Sequence, residues 1–179
     1  MKKILFATAA TAAVLTAAPA FAQVAPAGPR VEAIVGYDKV KVAGEKDGGF
    51  LYGVGAGYDV PVGTGLSIGA DIEATASTQK EQAGLAEVNA KRDLYAGGRV
   101  SLPISDTANV YAKAGYTNAR FKATDGVTTA SENFDGYRLG AGAQMALSGK
   151  AYVGGEYRFS DYEDGLKRHQ LGMTVGTRF

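Results

Sequence analysis

The final segment of the chain, from His169 to Phe179, constrains the fold more than any other. Apolar residues alternate there with small or polar residues, and the segment ends on the aromatic Phe179. Alternation with a period of two is typical of a β-strand, whose successive side chains point to opposite faces. A polar inner face and an apolar outer face suit a strand whose outside meets lipid. The segment therefore predicts the closing strand of a membrane-inserted barrel.

The beginning of the chain has the order of a secretory signal peptide. Lys2 and Lys3 form a basic region, an Ala-rich apolar stretch follows, and small residues around Ala20 lead to Ala22. The apolar stretch is short for a membrane-spanning helix, which is the alternative interpretation. We predict a signal peptide at 1–22, cleaved after Ala22, a periplasmic lead at 23–29 and one domain at 30–179.

The composition excludes several classes of function. The chain has no cysteine and one histidine, which excludes disulfides, thiolate metal sites and a multi-histidine site within one chain. Its 19 basic and 18 acidic residues give no basic excess that would favour nucleic acid. We therefore predict no cofactor, no metal and no nucleic-acid partner. Its 25 glycines and 10 tyrosines suit many short strands.

Eight alternating segments fill the mature chain, each near the roughly ten residues with which a tilted strand crosses a bilayer. The short connections at 61–65, 103–108 and 148–149 alternate with mostly longer, polar ones at 41–49, 76–90, 122–133 and 161–165. Short periplasmic turns and longer extracellular loops are typical of outer-membrane barrels. We predict an all-β fold, an eight-stranded antiparallel up-and-down transmembrane barrel. Its strands are predicted at 30–40, 50–60, 66–75, 91–102, 109–121, 134–147, 150–160 and 169–179.

These features together resemble the small outer-membrane β-barrel family of OmpA/OmpX-type and opacity-type, porin-like proteins. The resemblance rests on the signal peptide, the eight segments, the strand 110–116 and the closing residues 172–179. Two departures are the lack of tryptophan and of a peptidoglycan-binding domain. Seven residues remain for the aromatic girdles, namely Tyr37, Tyr52, Tyr58, Tyr116, Tyr137, Tyr157 and Phe159.

The resemblance implies a location in the outer membrane of a Gram-negative cell. It also implies a role in membrane integrity or surface interaction, with at most a narrow and mostly closed pore. Lipid and lipopolysaccharide would surround the barrel, and Phe179 would be the signal that the outer-membrane assembly machinery reads. No partner of the surface loops can be named from the sequence.

The polar face of the segments carries many charges, which a narrow lumen must pair. Eight strands enclose an interior that side chains fill, and an unpaired buried charge costs several kcal/mol. We expect ion pairs across the lumen, either as a structural core or as an ion gate that opens when pairs exchange. By distance from the strand ends, the mid-height set is Asp71, Arg99, Lys113, Arg138 and Glu156. The wider polar face adds Glu32, Asp38, Asp59, Glu73, Lys91, Asp93, Arg158 and Arg178.

Two other functions remain open at this point. A soluble periplasmic barrel of the lipocalin type would swap the two faces, with apolar residues inside around a ligand. A lipid A-modifying enzyme at the membrane rim would need a base beside a nucleophile, and His169 is the sole histidine. Ser160 and Asp161 lie across the final loop from it, but no His-x-Ser motif occurs. We predict that the protein is not an enzyme.

Overall fold

The computed structural model describes residues 25–42, 45–63, 65–78, 80–83, 86–124, 129–147, 149–163 and 166–179. The predicted signal peptide, including Ala22, lies outside these residues. Among the residues described, no helix has the length and apolarity needed to span a membrane.

The described residues form one closed antiparallel sheet. Strands β1–β3 and β5–β9 make a ring in which β1 pairs with β9 and β3 pairs with β5, while the short β4 pairs with β5 alone. The predicted eight-stranded antiparallel barrel is confirmed. The strands are β1 Gly28–Val42, β2 Glu45–Pro61, β3 Ser67–Ser77, β4 Lys80–Ala83, β5 Ala86–Pro103, β6 Ala108–Thr124, β7 Thr129–Ala146, β8 Ala151–Tyr162 and β9 Lys167–Arg178.

The two faces of the sheet have opposite chemistry. Ile72 and Leu171 on the outer face are each 63% exposed, whereas Asp71 on the inner face is 3% exposed. The lipocalin-like alternative required the reverse arrangement. Ile34, which interrupts the polar face of the first segment, is buried inside the barrel. Six predicted girdle residues are well exposed on the outer face, namely Tyr37, Tyr52, Tyr58, Tyr116, Tyr137 and Tyr157.

The strands run further than the alternating pattern predicts. Pairing of β1 with β2 extends to Val42 and Glu45, and pairing of β6 with β7 extends to Thr124 and Thr129. The predicted long loops at 41–49, 76–90 and 122–133 are therefore largely paired strand, and β4 lies within one of them. Backbone pairing satisfies the N–H and C=O groups of these residues whether or not their side chains alternate, so a strand can continue beyond the alternating pattern.

The other end of the barrel has short turns and holds both ends of the described chain. β1 begins at Gly28, two residues before the predicted start, and the Phe179 amide donates to the Pro29 carbonyl at 2.9 Å. In the predicted lead, Ala25 is buried and the Ser67 hydroxyl donates to the Pro26 carbonyl at 2.6 Å.

Glycines on the inner face let strands and large side chains approach closely. Gly97 of β5 and Gly115 of β6 are register partners. A Cβ atom added to Gly115 would overlap the backbone of Ala96 and Gly97, and one added to Gly97 would overlap the Tyr95 hydroxyl. This pair of glycines makes room for the side chains that fill the lumen.

Candidate functional site in the barrel interior

Equal numbers of acidic and basic side chains point into the lumen in the part of the chain that the structure describes. Each of them lies within 4 Å of an opposite charge. This balance allows so many charges to be buried, since an uncompensated one would be strongly destabilising. The acids are Glu32, Asp38, Asp59, Asp71, Glu73, Asp93 and Glu156, and the bases are Arg30, Arg99, Lys113, Arg138, Arg158, Arg168 and Arg178.

A lower cluster lies on the side of the short turns. Arg30 Nε donates to Asp59 Oδ2 at 2.9 Å, and Arg99 Nε donates to Asp71 Oδ2 at 2.8 Å. Arg30 also contacts Asp71, and Arg178 contacts Asp59. The five side chains form a row in which bases and acids alternate, so every carboxylate lies between two guanidinium groups.

A middle cluster forms a closed ring of four charges. Lys113 Nζ lies 2.6 Å from Glu156 Oε1, and Arg158 Nη1 lies 3.2 Å from Glu73 Oε2. Lys113 also contacts Glu73, and Arg158 also contacts Glu156. Each member of the ring therefore touches both members of opposite sign.

An upper cluster is centred on Asp93, towards the end of the barrel where paired strands such as β1–β2 and β6–β7 continue as long hairpins. Arg168 Nη1 lies 2.7 Å from Asp93 Oδ2, while its Nε donates to Asp38 at 2.9 Å. Arg138 also contacts Asp93, and the Thr117 hydroxyl donates to Asp93 Oδ1 at 2.7 Å. Asp93 thus compensates two buried arginines that lie on different strands.

The three clusters are joined into one column. The Tyr111 hydroxyl donates to Glu156 Oε2 at 2.6 Å, and the Arg99 guanidinium lies 3.9 Å from the centre of the Tyr111 ring. Tyr111 thereby links the lower cluster to the middle one. Arg138 Nη1, at 3.8 Å from Glu73 Oε2, links the middle cluster to the upper one.

The predicted mid-height set is distributed over all three clusters. Asp71 pairs with Arg99 in the lower cluster, and Lys113 pairs with Glu156 in the middle one. Arg138 lies in the upper cluster and pairs with Asp93 and Glu73, which are outside the predicted set. All five side chains are buried.

Two members of the column, Arg30 and Arg168, were not among the predicted interior charges. Each lies two residues from a predicted inward position, Arg30 before Glu32 and Arg168 before Gln170. Arg30 already lay within the predicted strand 30–40, on the face of Glu32, and extending the last predicted strand by one residue would have included Arg168. Lys91, predicted on the polar face, lies where β5 and β6 shift register, and its side chain is outside the described set.

The described carboxylates of the column are all held in ion pairs. All seven interior carboxylates are engaged by cations, so none is poised as a general acid or base. The described residues contain no group of three or more histidine, cysteine, aspartate or glutamate side chains that could hold a metal ion.

His169 and Ser160 do not come together. Ser160 is buried in the lumen, where its hydroxyl accepts a bond from Arg138 Nε at 2.9 Å. His169 lies on the outer face, where its Nδ1 is 2.6 Å from the Tyr157 hydroxyl. Asp161 accepts a bond from the Tyr137 hydroxyl at 3.2 Å. The barrel wall therefore separates the histidine from the serine.

Phe179 presents its side chain to the surroundings, being 61% exposed. Its ring centre lies 5.6 Å from Lys150 Nζ, in the neighbouring short turn. The aromatic end of the chain is thus fixed in position while its ring stays accessible.

Solved structures with the same fold include several small barrels. Ail, the attachment invasion locus protein of Yersinia pestis, is 15% identical with a TM-score of 0.65, covering 86% of this chain and 99% of that one. Neisserial surface protein A is 15% identical with a TM-score of 0.66, covering 85% and 97%. The outer membrane enzyme PagL is 18% identical with a TM-score of 0.51, covering 84% and 99%. At these identities the similarity shows the fold alone.

The sequence itself matches a protein family over almost its whole length. The matching family is described as the outer membrane protein beta-barrel domain, and the match covers residues 7–179. A search of curated proteins finds no significant match. The family match agrees with the closed barrel and its apolar outer face, and it confirms the predicted outer-membrane location. The chain therefore belongs to the outer membrane protein beta-barrel domain family.

Proposed function

We propose that this protein is a sealed structural barrel that supports membrane integrity and carries its extended hairpins at the cell surface. The observation that carries the proposal is the column of paired charges along the lumen. A permeating ion would have to separate pairs that compensate one another away from water, and breaking one buried pair costs about 3–5 kcal/mol. The lumen is therefore closed under ordinary conditions.

The long hairpins support a surface role. β5 and β7 have 18 residues each and β6 has 17, whereas about ten residues suffice to cross a bilayer. The excess continues as paired strand on the side opposite the short turns. Binding surfaces are commonly carried by loops on such a rigid scaffold, so a surface partner would contact these hairpins.

Export and assembly complete the proposal. Residues 1–22 act as a signal peptide removed after Ala22, which the intact mass of the purified protein tests. A mass that includes residues 1–22 would contradict the cleavage.

The accessible ring of Phe179, at the end of the closing strand, supports its recognition by the barrel assembly machinery. Lipid and lipopolysaccharide then surround the apolar outer face.

The conductance of an Arg138→Ala variant tests whether the lumen is sealed. We expect wild type and variant to stay at the level of the blank bilayer in single-channel recordings, because the lower and middle clusters still fill the lumen. Asp161→Ala, which removes a charge from the outer face, serves as the control. Discrete openings in wild type, or openings in Arg138→Ala that the control lacks, would contradict the sealed barrel.

One observation favours a gate as the second candidate. Arg138 contacts Asp93, and its Nη1 lies 3.8 Å from Glu73 in the next cluster. A small movement of this guanidinium would exchange one acid for the other, as a gate requires. The recordings described above separate the two functions, since a gate would show voltage-dependent openings that Arg138→Ala alters.

We propose further that the protein catalyses no reaction, although the enzyme PagL shares the fold. The separation of His169 from Ser160 supports this. We expect the lipid A of cells expressing the protein to keep the acyl chains of the empty-vector strain, as measured by mass spectrometry. Loss or gain of an acyl chain that disappears in His169→Gln would contradict this expectation.

A further inference from the structure

Two arginines face each other on the outer surface of the barrel. Arg92 of β5 and Arg120 of β6 are register partners. On each strand they lie two residues closer to the long hairpins than the pair Leu94 and Asn118. The alternation of both strands places them on the outer face, just above its apolar part. Within the described part of the chain, neither makes an ion pair. On the outer face, the nearby acid Asp135 of β7 accepts bonds from the Tyr116 hydroxyl and from Asn118 Nδ2 instead.

Among the side chains that the structure describes, none supplies this pair with a compensating negative charge. Like charges directly opposite each other on paired strands are destabilising. In addition, Arg120 Nε is buried and donates to no protein group, a state that normally costs free energy. The strands also shift register between Ala90 and Arg92, and such bulges often re-aim a side chain beside a functional site. The pair is therefore suited to an anion with several acceptor oxygens.

An apolar groove of about 1080 Å³ leads to these arginines. It crosses the outer face from β9 to β6 and ends at Tyr116 and Asn118, one alternation below Arg120. Its floor is formed where alanines lie between larger apolar side chains. Because the barrel strands are tilted, the groove runs obliquely and approaches the long hairpins as it passes from β9 to β6. The alanines are Ala33, Ala56, Ala74 and Ala96.

We propose that Arg92 and Arg120, together with this groove, form a binding site for lipopolysaccharide. The guanidinium groups would hold a lipid A phosphate, because their planar donors match phosphate oxygens in pairs. An acyl chain would lie in the groove. We choose lipid A over a phospholipid because the arginines lie on the side of the long hairpins, which is the extracellular side of such barrels. The inference rests on the membrane orientation given in the proposed function.

The test uses the folded full-length protein in phosphatidylcholine nanodiscs, with lipid A titrated in and counted by native mass spectrometry. The double variant Arg92→Gln and Arg120→Gln is expected to bind lipid A about tenfold more weakly than wild type, as loss of charge-assisted bonds implies. The matched control is Lys39→Gln with Lys167→Gln. Lys39 and Lys167 are exposed and lie on β1 and β9, across the barrel from the two arginines. Their substitution removes the same amount of positive charge. The control is expected to bind like wild type.

A second pair of variants tests the groove while leaving both arginines in place. Ala56→Phe fills the groove and is expected to weaken lipid A binding severalfold. Ala141→Phe adds the same ring to the outer face of β7, outside the groove, and is expected to have no effect. The heat-dependent shift in gel mobility verifies that each variant is folded.

Three results would overturn the inference. The first is that the Arg92 and Arg120 double variant binds lipid A as tightly as wild type does. The second and third are that wild type binds dephosphorylated lipid A, or phosphatidylglycerol, as tightly as it binds lipid A. None of them bears on the sealed lumen, because conductance is measured separately. Openings in the conductance recordings would in turn contradict the proposed function without affecting the lipid site.

Discussion

Asp93→Asn is expected to lower the free energy of unfolding by about 3–5 kcal/mol, the range for breaking a buried ion pair. The amide fits the same space but leaves two buried guanidinium groups, Arg138 and Arg168, short of a negative charge. The Thr117 hydroxyl would keep an acceptor in the amide oxygen. The loss is therefore one of charge and not of volume or of that hydrogen bond.

Urea unfolding in lipid vesicles, followed by the heat-dependent gel shift, measures this effect. Asp161→Asn is the matched control, because Asp161 is a partly exposed acid on the outer face of β8. Surface pairs contribute about 0–1 kcal/mol, so its midpoint should move little. Equal midpoints for the Asp93 variant and the control would show that the upper cluster does not hold the barrel together.

Gly115→Ala is expected to destabilise the barrel by about 1–3 kcal/mol, as overpacking of a tight interior does. The added methyl group would occupy the position of the Ala96 and Gly97 backbone atoms. A backbone cannot yield as the end of a flexible side chain can, so β5 and β6 would have to separate locally. We expect the variant to have a lower urea midpoint and a lower temperature for the gel-mobility transition than wild type.

Gly98→Ala provides a control in the same pair of strands. A Cβ atom at Gly98 would meet only the Gly69 carbonyl oxygen, at 3.8 Å, which is an ordinary contact. Since alanine has the higher strand propensity, stability should be unchanged or slightly raised. If Gly115→Ala behaved like Gly98→Ala, close approach of the strands would not be what requires glycine there.

Much of the fold could be predicted because a lipid-facing strand keeps a strict period of two. The predicted segment 66–75 differs from β3, Ser67–Ser77, by one residue at its start and two at its end. The upper ends of the strands could not be predicted in this way. Beyond the lipid no side-chain pattern marks the strand, and only the partner's backbone decides whether pairing continues, as it does to Val42 and Thr124.

The interior charges could be predicted as a set but not as pairs. Asp71 and Arg99 lie on adjacent strands, yet their register partners are Gly97 and Gly69, so they meet on a diagonal. Such diagonals follow from the stagger of the strands, which a single sequence does not reveal. For the same reason, distance from a strand end could not indicate that Arg138 pairs with Asp93 in the upper cluster.

The column of charges also bears on how the chain is assembled in the cell. Arg168 of the last strand pairs with Asp38 of the first, and Arg178 pairs with Asp59 of the second. Residues synthesised early are thus neutralised by residues that leave the ribosome last. A barrel that lacks β9 has an unbalanced interior that must stay wet, so drying of the lumen and closure of the sheet are one cooperative event. Premature truncation therefore yields a chain that cannot persist in the bilayer as a partial barrel.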